Sequence, residues 1–303
     1  MNAPLVSAGQ MDRTKYLGGS DVAAILGISP WRTALDVYMD KIQPRVEETD
    51  PARVKVLTRG KRMEPYVIDL LQEETGLQVV RRGQRYIDRE LPFIAAEIDA
   101  EAESGENIEI KTSSPFKARE WGEQQTDEIP VYYTAQAMHG MMITGASVCV
   151  FGVLIGADDF RVYRVERDSE TIAAIREKEI AFWDRVQRLD APEPSTVADV
   201  LTLYGVKDAG TAIEANDEIE ADVFRLRNLK DDLKRLGTQA DEAEERIKVF
   251  MADHAILTIK GTPVVTWKAQ SSSRFDQCAF KTAHPDLYEA FKKTSESRVM
   301  RVK

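Results

Sequence analysis

The chain is poor in cysteine and histidine, with two of one and three of the other in 303 residues. Cys149 and Cys278 form no CxxC pair and have no flanking histidine, which argues against an iron–sulfur cluster and a disulfide framework. Cys149 sits in the apolar run Ser147 to Leu154 and reads as a core residue, so the protein is expected to be reduced and cytoplasmic. His139, His254 and His284 are scattered, which argues against a zinc site and against a histidine-based nuclease motif. No run approaches the roughly 18 apolar residues of a membrane span. Met1 to Gln10 lacks the charged start and apolar stretch of a secretory leader. Internal repeats and low-complexity tracts are missing as well.

Positive charge is also in deficit, with 41 Lys and Arg against 51 Asp and Glu and a net charge of −10. Alone, that argues mildly against a phosphate-rich partner. The distribution says otherwise. Arg53, Lys55, Arg59, Lys61 and Arg62 fall in a stretch without an acidic residue, and Arg81, Arg82 and Arg85 follow. Much of the negative charge lies in an acidic helix after Glu214, so DNA binding stays open.

Apolar residues at 43% and charged ones at 30% are ordinary for a globular chain, and the length suits one large domain plus an appendage. A short helix is expected at Ser20 to Gly27, capped by Ser20 or Asp21, then helices at Thr33–Ile42 and Ala52–Thr75. Strands follow at Gln78–Ile87, Phe93–Ala102 and Asn107–Thr112. Pro130 opens a helix to Thr144, before strands Ser147–Leu154 and Phe160–Glu166 and a helix Ser169–Leu189. The order predicts a mixed α/β domain over 1–190 with one central sheet flanked by helices, and a linker over 191–212 around Ala191-Pro192-Glu193-Pro194-Ser195. The appendage, 213–303, opens with a heptad helix about Ile213–His254, as a coiled coil or, broken at Gly237, a helical hairpin; a small α+β tail follows.

Chemistry concentrates at Asp99, Glu109 and Lys111. Glu109 and Lys111 are two apart on a strand and share a face, and Asp99 lies on the strand before it. Paired carboxylates repel unless a cation lies between them, and Mg²⁺ suits such a sparse oxygen set. It would activate water and offset charge on a phosphate, with Lys111 positioning or deprotonating the water or offsetting charge. Alternation predicts Glu97, Asp99 and Glu101 on one strand face over the apolar Ile108 and Ile110. A plain pair of surface salt bridges is the competing reading. Trp31, Trp121 and Trp183 read as core, with Trp121 nearest the active strand and so the candidate to touch DNA.

Several motifs together resemble one family. Tyr16-Leu-Gly-Gly-Ser-Asp-Val-Ala-Ala-Ile-Leu-Gly27 with Ser29-Pro30-Trp31, Gly60-Lys-Arg-Met-Glu64-Pro65, Ile108-Glu109-Ile110-Lys111-Thr112 and Pro130 to Gly145 resemble, in order, the motifs of the YqaJ viral recombinase and lambda-exonuclease family. The resemblance spans about residues 13 to 186 and implies a PD-(D/E)XK, restriction-endonuclease-like core. It implies that Asp99, Glu109, Glu64 and the Ile110 carbonyl hold the metal, a pair of Mg²⁺ ions or Mn²⁺ in their place. It implies that Lys111 serves the attacking water, that Gln136 is an active-site glutamine, and that Arg13 and Ser20 receive a 5′-phosphate. The Gly-Gly-Ser turn into a helix offers N–H groups to an anion. The family's Pro-Asp-Gly is here Ile98-Asp99-Ala100, so a register slip could bring in Glu97; Asp99 is preferred by alignment.

The implied activity is resection of linear double-stranded DNA 5′→3′, exposing 3′ single strands for an annealing protein, with homo-oligomers in the same family and no membrane partner. A RecB-like single-strand nuclease, an endonuclease of the same fold and a non-catalytic DNA-binding protein are the competing readings.

Overall fold

The strand Val148–Ile155 is buried at every position after its first, and such a run needs neighbours on both edges and cover on both faces. The computed structural model, which describes residues 5–6, 12–43, 50–206 and 208–302, supplies them. Most of the stretch read for a leader lies outside the described residues.

The elements in chain order are β1 (Leu5–Val6), α1 (Gly19–Ile25), α2 (Ala34–Ile42), α3 (Pro51–Thr75), β2 (Val79–Ile87), β3 (Ala95–Ala102), β4 (Asn107–Ser113), α4 (Val131–Thr144), β5 (Val148–Ile155), β6 (Asp159–Glu166), α5 (Ser169–Arg188) and α6 (Val197–Tyr204). The strands form one sheet in sequence order. All pairs are antiparallel except β4 with β5, which run parallel. A parallel pair needs a crossover, and α4 is it. The result is the mixed, helix-flanked sheet that the order of elements predicts, with boundaries within a few residues of expectation.

Local chemistry sets the ends. Asp50 caps α3 by accepting the Ala52 N–H at 3.0 Å, Pro51 fills its first turn, and Gly76 leaves it at φ 73°. The cap of α1 is Gly18 rather than Ser20 or Asp21; the Asp21 side chain instead accepts the Gly18 N–H at 3.1 Å. Two layers cover the sheet. Val67, Ile68 and Leu71 of α3 pack with Ile108, Ile110, Val150 and Leu154 on one face. Ala135, Met138 and Met141 of α4, with Ile172 and Ile175 of α5, pack with Cys149, Phe151 and Val153 on the other.

The expected alternation fails in β3, at the position that matters. Ala100 and Ala102 join the α3 layer, whereas Ala96 and Ile98 pack with Tyr86 and with Ile143 of α4. Strict alternation would put Ile98 and Ala100 on one face. Opposite Asp99, between the pairs Arg82 with Ala100 and Gln84 with Ile98, Gly83 takes φ 61°. A left-handed residue of this kind kinks a strand and re-aims its side chains. Glu97, Asp99 and Glu101 therefore do not form one row: Glu101 pairs with Arg81 and Glu97 with Arg85.

The chain divides into two units, Met1–Leu203 and Tyr204–Lys303. The stretch expected as a linker contains α6. In the second unit α7 (Asp217–Met251) runs unbroken through Gly237, so no hairpin forms there. β7 (Ile256–Ile259) and β8 (Thr262–Thr266) form a small hairpin before α8 (Gln277–Ala283) and α9 (Pro285–Phe291). Along α7, Leu229, Leu233 and Leu236 are exposed.

Leu71, fully buried, anchors α3 on β4 and β5. Leu71→Ala should destabilise the first unit by about 2–5 kcal/mol, read as a shift of the urea midpoint. An unchanged midpoint would mean that α3 is not part of the core.

Candidate active site

Ile108 and Ile110 point into the α3 layer, which leaves Glu109 and Lys111 on the α4 side of β4. Glu109 is 3% exposed. Its Oε2 accepts from Lys111 Nζ at 2.9 Å and from Gln136 Nε2 at 2.8 Å. Gln136 reaches it from α4, and Gly19 lets α1 pack closely on that helix; a Cβ there would stand 3.1 Å from Gln136 Cγ.

Asp99 enters where β3 and β4 part. The ladder between them carries the pairs Ala100 with Ile108 and Glu101 with Asn107. Beyond it the Asp99 Oδ2 accepts the Ile110 N–H at 2.8 Å, so a side chain replaces the neighbouring strand as acceptor.

The electrostatics follow from this crowding. Burial pushes the Glu109 carboxyl up to about 7; Lys111 opposes this, and the Asp99 and Glu64 charges reinforce it. Burial likewise raises Asp99, against the pull of Lys111 and the Ile110 N–H. Glu64 on α3 is raised by burial and then by the Asp99 charge. Burial works against the Lys111 ammonium, but Glu109 and Asp99 outweigh it and hold it protonated above the ordinary lysine value. Asp99, Glu109 and Glu64 are thus within electrostatic reach of one another. Among the described residues, no group of three His, Cys, Asp or Glu side chains stands ready as a metal cage. The donor chemistry still fits a divalent cation: buried oxygen ligands raised by burial and by each other's charge are what such an ion would return to the carboxylate form.

Arg13 and Ser20 meet as expected, with Arg13 Nη2 donating to Ser20 Oγ at 2.8 Å. A cavity of about 180 Å³ is lined by both of them and by Asp99, Glu109 and Gln136. Glu97 also lines it, but is held by Arg85 at 2.9 Å. Glu64 and Lys111 do not line it. The Gly18 N–H, expected to face an anion, is taken by Asp21.

Asp21 is the residue that sequence reasoning missed. It is buried and binds Lys41 at 2.9 Å and Arg32 at 3.2 Å, with Arg13 at 3.7 Å. Burial would raise its pKa, but Lys41 and Arg13 outweigh burial and hold it low. One carboxylate thus gathers three cations beside the cavity. Along the sequence it read only as a candidate helix cap; it lies in the first turn of α1, where it accepts the N–H of the actual cap, Gly18. His139 of α4 was likewise read only as a scattered histidine. It is fully buried, with Nδ1 2.7 Å from Glu179 Oε1 and Nε2 2.9 Å from the Ala95 carbonyl. In its cationic form the ring donates to both partners, and Glu179 more than offsets the burial that opposes that charge.

The basic groups separate. Arg82 pairs with Asp69, as Arg81 and Arg85 do with Glu101 and Glu97, whereas Lys55, Arg59, Lys61 and Arg62 lie exposed along α3. Trp121 is buried and stacks on Tyr133, with centroids 5.4 Å apart and 21° between planes. Trp183 stacks on Phe93 at 5.1 Å. Trp31, expected in the core, is 55% exposed.

Comparison with known proteins adds the following. A family model described as the YqaJ-like viral recombinase domain matches residues 10–147. The chain is similar to the uncharacterized protein YqaJ of Bacillus subtilis (strain 168), 30% identical over 302 residues that cover 97% of this chain and 92% of the relative. Among solved structures, an alkaline exonuclease from Laribacter hongkongensis in complex with dAMP superposes with a TM-score of 0.48 at 21% identity, covering 59% of this chain and 91% of that one. A phage related exonuclease from Haemophilus somnus 129PT gives 0.42 at 18%, covering 57% and 94%.

Asp21→Asn would leave the buried Lys41 without its counter-charge and should cost about 3–5 kcal/mol in thermal or urea unfolding; a loss near zero would show that the hub is not structural. For His139, burial disfavours the charge but Glu179 more than restores it, so its pKa lies above the unfolded value. The stability it contributes is full below about pH 6.5 and is lost as pH rises through the higher folded-state value. The urea midpoint should therefore fall as pH rises above about 6.5, and His139→Gln should flatten that fall. Parallel profiles for the two proteins would refute the assignment.

Proposed function

This chain belongs to the YqaJ-like viral recombinase family, and from that premise we propose that it is a metal-dependent DNA exonuclease of phage type. It would resect linear duplex DNA 5′→3′ and leave 3′ single strands for an annealing protein, with the activity in the first unit. The observation that carries the reading is the single cavity that brings Arg13 and Ser20 together with Asp99, Glu109 and Gln136. An end-recognising pair within reach of acidic ligands is what removal of terminal nucleotides requires.

Asp99, Glu109, Glu64 and the Ile110 carbonyl would hold Mg²⁺ or Mn²⁺. When bound, the ion lowers the pKa of water and offsets charge on the phosphate under attack. The chain's own groups do the rest. Gln136 and Lys111 both donate to Glu109 Oε2 and keep that carboxylate turned one way. Lys111, held protonated, acts as a donor that orients water and balances developing negative charge, rather than as the base. Arg13, with Ser20, holds the terminal phosphate. Hydrolysis adds water to phosphorus and breaks the bond to the 3′ oxygen, which leaves as a hydroxyl. The remaining strand then begins with a 5′-phosphate, the same group that Arg13 receives.

Digestion of linear duplex DNA bearing 5′-phosphate or 5′-hydroxyl ends tests this. One strand should disappear with Mg²⁺ and persist with EDTA. Lys111→Ala should lower the rate at least about 10²-fold. Arg13→Ala should abolish the preference for 5′-phosphate ends while leaving residual cutting. Cutting of closed circles would replace the exonuclease with an endonuclease, and binding without cutting in either metal would refute catalysis.

A further inference from the structure

A larger groove of about 660 Å³ adjoins the small cavity, and Gly19, Ser20 and Gln136 line both. Its walls combine Trp31, Tyr132 and Tyr133 with Lys117 and Arg53. Lys117 lies 3.6 Å from Glu120, which also lines the groove, so a phosphate would compete with that ion pair. Flat rings beside cationic side chains match one ligand class well, a nucleic acid strand with unpaired bases. In a duplex the ring faces of the bases are already stacked on their neighbours, so an aromatic wall can use them only where pairing has ended.

The rings are braced for this. Trp31 meets Tyr132 edge-on, with centroids 4.7 Å apart and 73° between planes, and lies 6.2 Å from Tyr133. Tyr133 rests on the buried Trp121, and the Tyr132 hydroxyl donates to Glu120 at 2.9 Å. The indole is thus braced by tyrosine rings and still 55% exposed, and a base that stacks on it would share the ring with Lys117. Lys117 Nζ stands over its ring at 5.6 Å. The same aromatic set touches the candidate active site, since Lys111 Nζ lies over the Tyr133 ring at 5.1 Å. A strand that passes Ser20 and Gln136 therefore comes to Trp31 next.

We propose that Trp31 is a stacking platform for an unpaired base of the DNA strand being cut, with Lys117 and Arg53 serving the adjoining phosphates. This rests on the exonuclease reading of the cavity and adds to it one base contact beyond the end-binding pair. Exposure of Trp31 is then a requirement of binding, and Trp121, the tryptophan nearer the active strand, is its support.

The test uses the full chain in EDTA, so that nothing is cut, with a fluorescently labelled 5′-phosphorylated thymidine oligonucleotide as the single strand and a blunt hairpin as the duplex. Trp31→Ala should weaken single-strand binding about 5- to 100-fold, the range of one lost base stack, with a smaller effect on the hairpin. Trp31→Phe should recover most of it. Lys117→Gln should reduce the slope of log affinity against log salt by about one. Binding of the single strand should quench tryptophan emission in the unsubstituted chain and much less in Trp31→Phe. Unchanged single-strand affinity in Trp31→Ala, or equal weakening of both ligands, would overturn the proposal. If the unsubstituted chain quenches and binds through Trp31 but never cuts with Mg²⁺, stacking stands and the exonuclease reading fails. Should it cut while Trp31→Ala binds and cuts as well as the parent, the platform fails and the exonuclease reading stands.

Discussion

A carboxylate with 3% of its surface exposed needs compensation, and the arrangement around Glu109 is organised to provide it. Lys111 supplies charge and Gln136 a directed hydrogen bond. The lysine lies two residues along the same strand, so β4 brings it without further design. The glutamine requires α4 to lie over β4, which follows from the parallel crossover that α4 makes, while Gly19 lets α1 close against Gln136 from the other side. Removing a buried charge from water is unfavourable, yet here the cost is offset by contacts that hold both partners for chemistry. Raised pKa values at Asp99, Glu109 and Glu64 express the same compression. A divalent cation would relieve it.

A second buried carboxylate plays a matching part at the other end of the cavity. Asp21 holds Lys41, Arg32 and Arg13 about one centre, and Arg13 in turn donates to Ser20. Of these cations Arg13 lines the cavity, which thus carries a guanidinium as well as the carboxylates of Asp99 and Glu109, a combination that suits a phosphate chain with a charged terminus. His139, held between Glu179 and the Ala95 carbonyl, ties α4 to α5 and to the start of β3. These contacts act through position, since they hold α4, and with it Gln136, in place.

Much of this was legible along the chain. Ile108 and Ile110 flanking Glu109 announced a strand with one apolar face, and Gly76, Gly145 and Pro130 marked helix ends through their own backbone chemistry. The pairing of Arg13 with Ser20 was implied by resemblance and is met by geometry. The β3 alternation was misleading because Gly83 lies on a different strand from Asp99 and its φ of 61° cannot be read from spacing. Arg81, Arg82 and Arg85 looked like one basic patch for the same reason, since their acidic partners come from β3 and α3.

The sequence by itself determined the elements, their order and the identity of the charged residues, because periodicity, caps and turn residues act over a few positions. Tertiary structure alone decided which charges are spent on each other and which stay available. It separated Glu97, held by Arg85, from Asp99, which takes a backbone N–H, and it placed Asp21 under three cations. It also exposed Trp31 while burying Trp121. The reason is physical: burial and pairing depend on groups brought together from distant parts of the chain, and no local pattern encodes the distance between them.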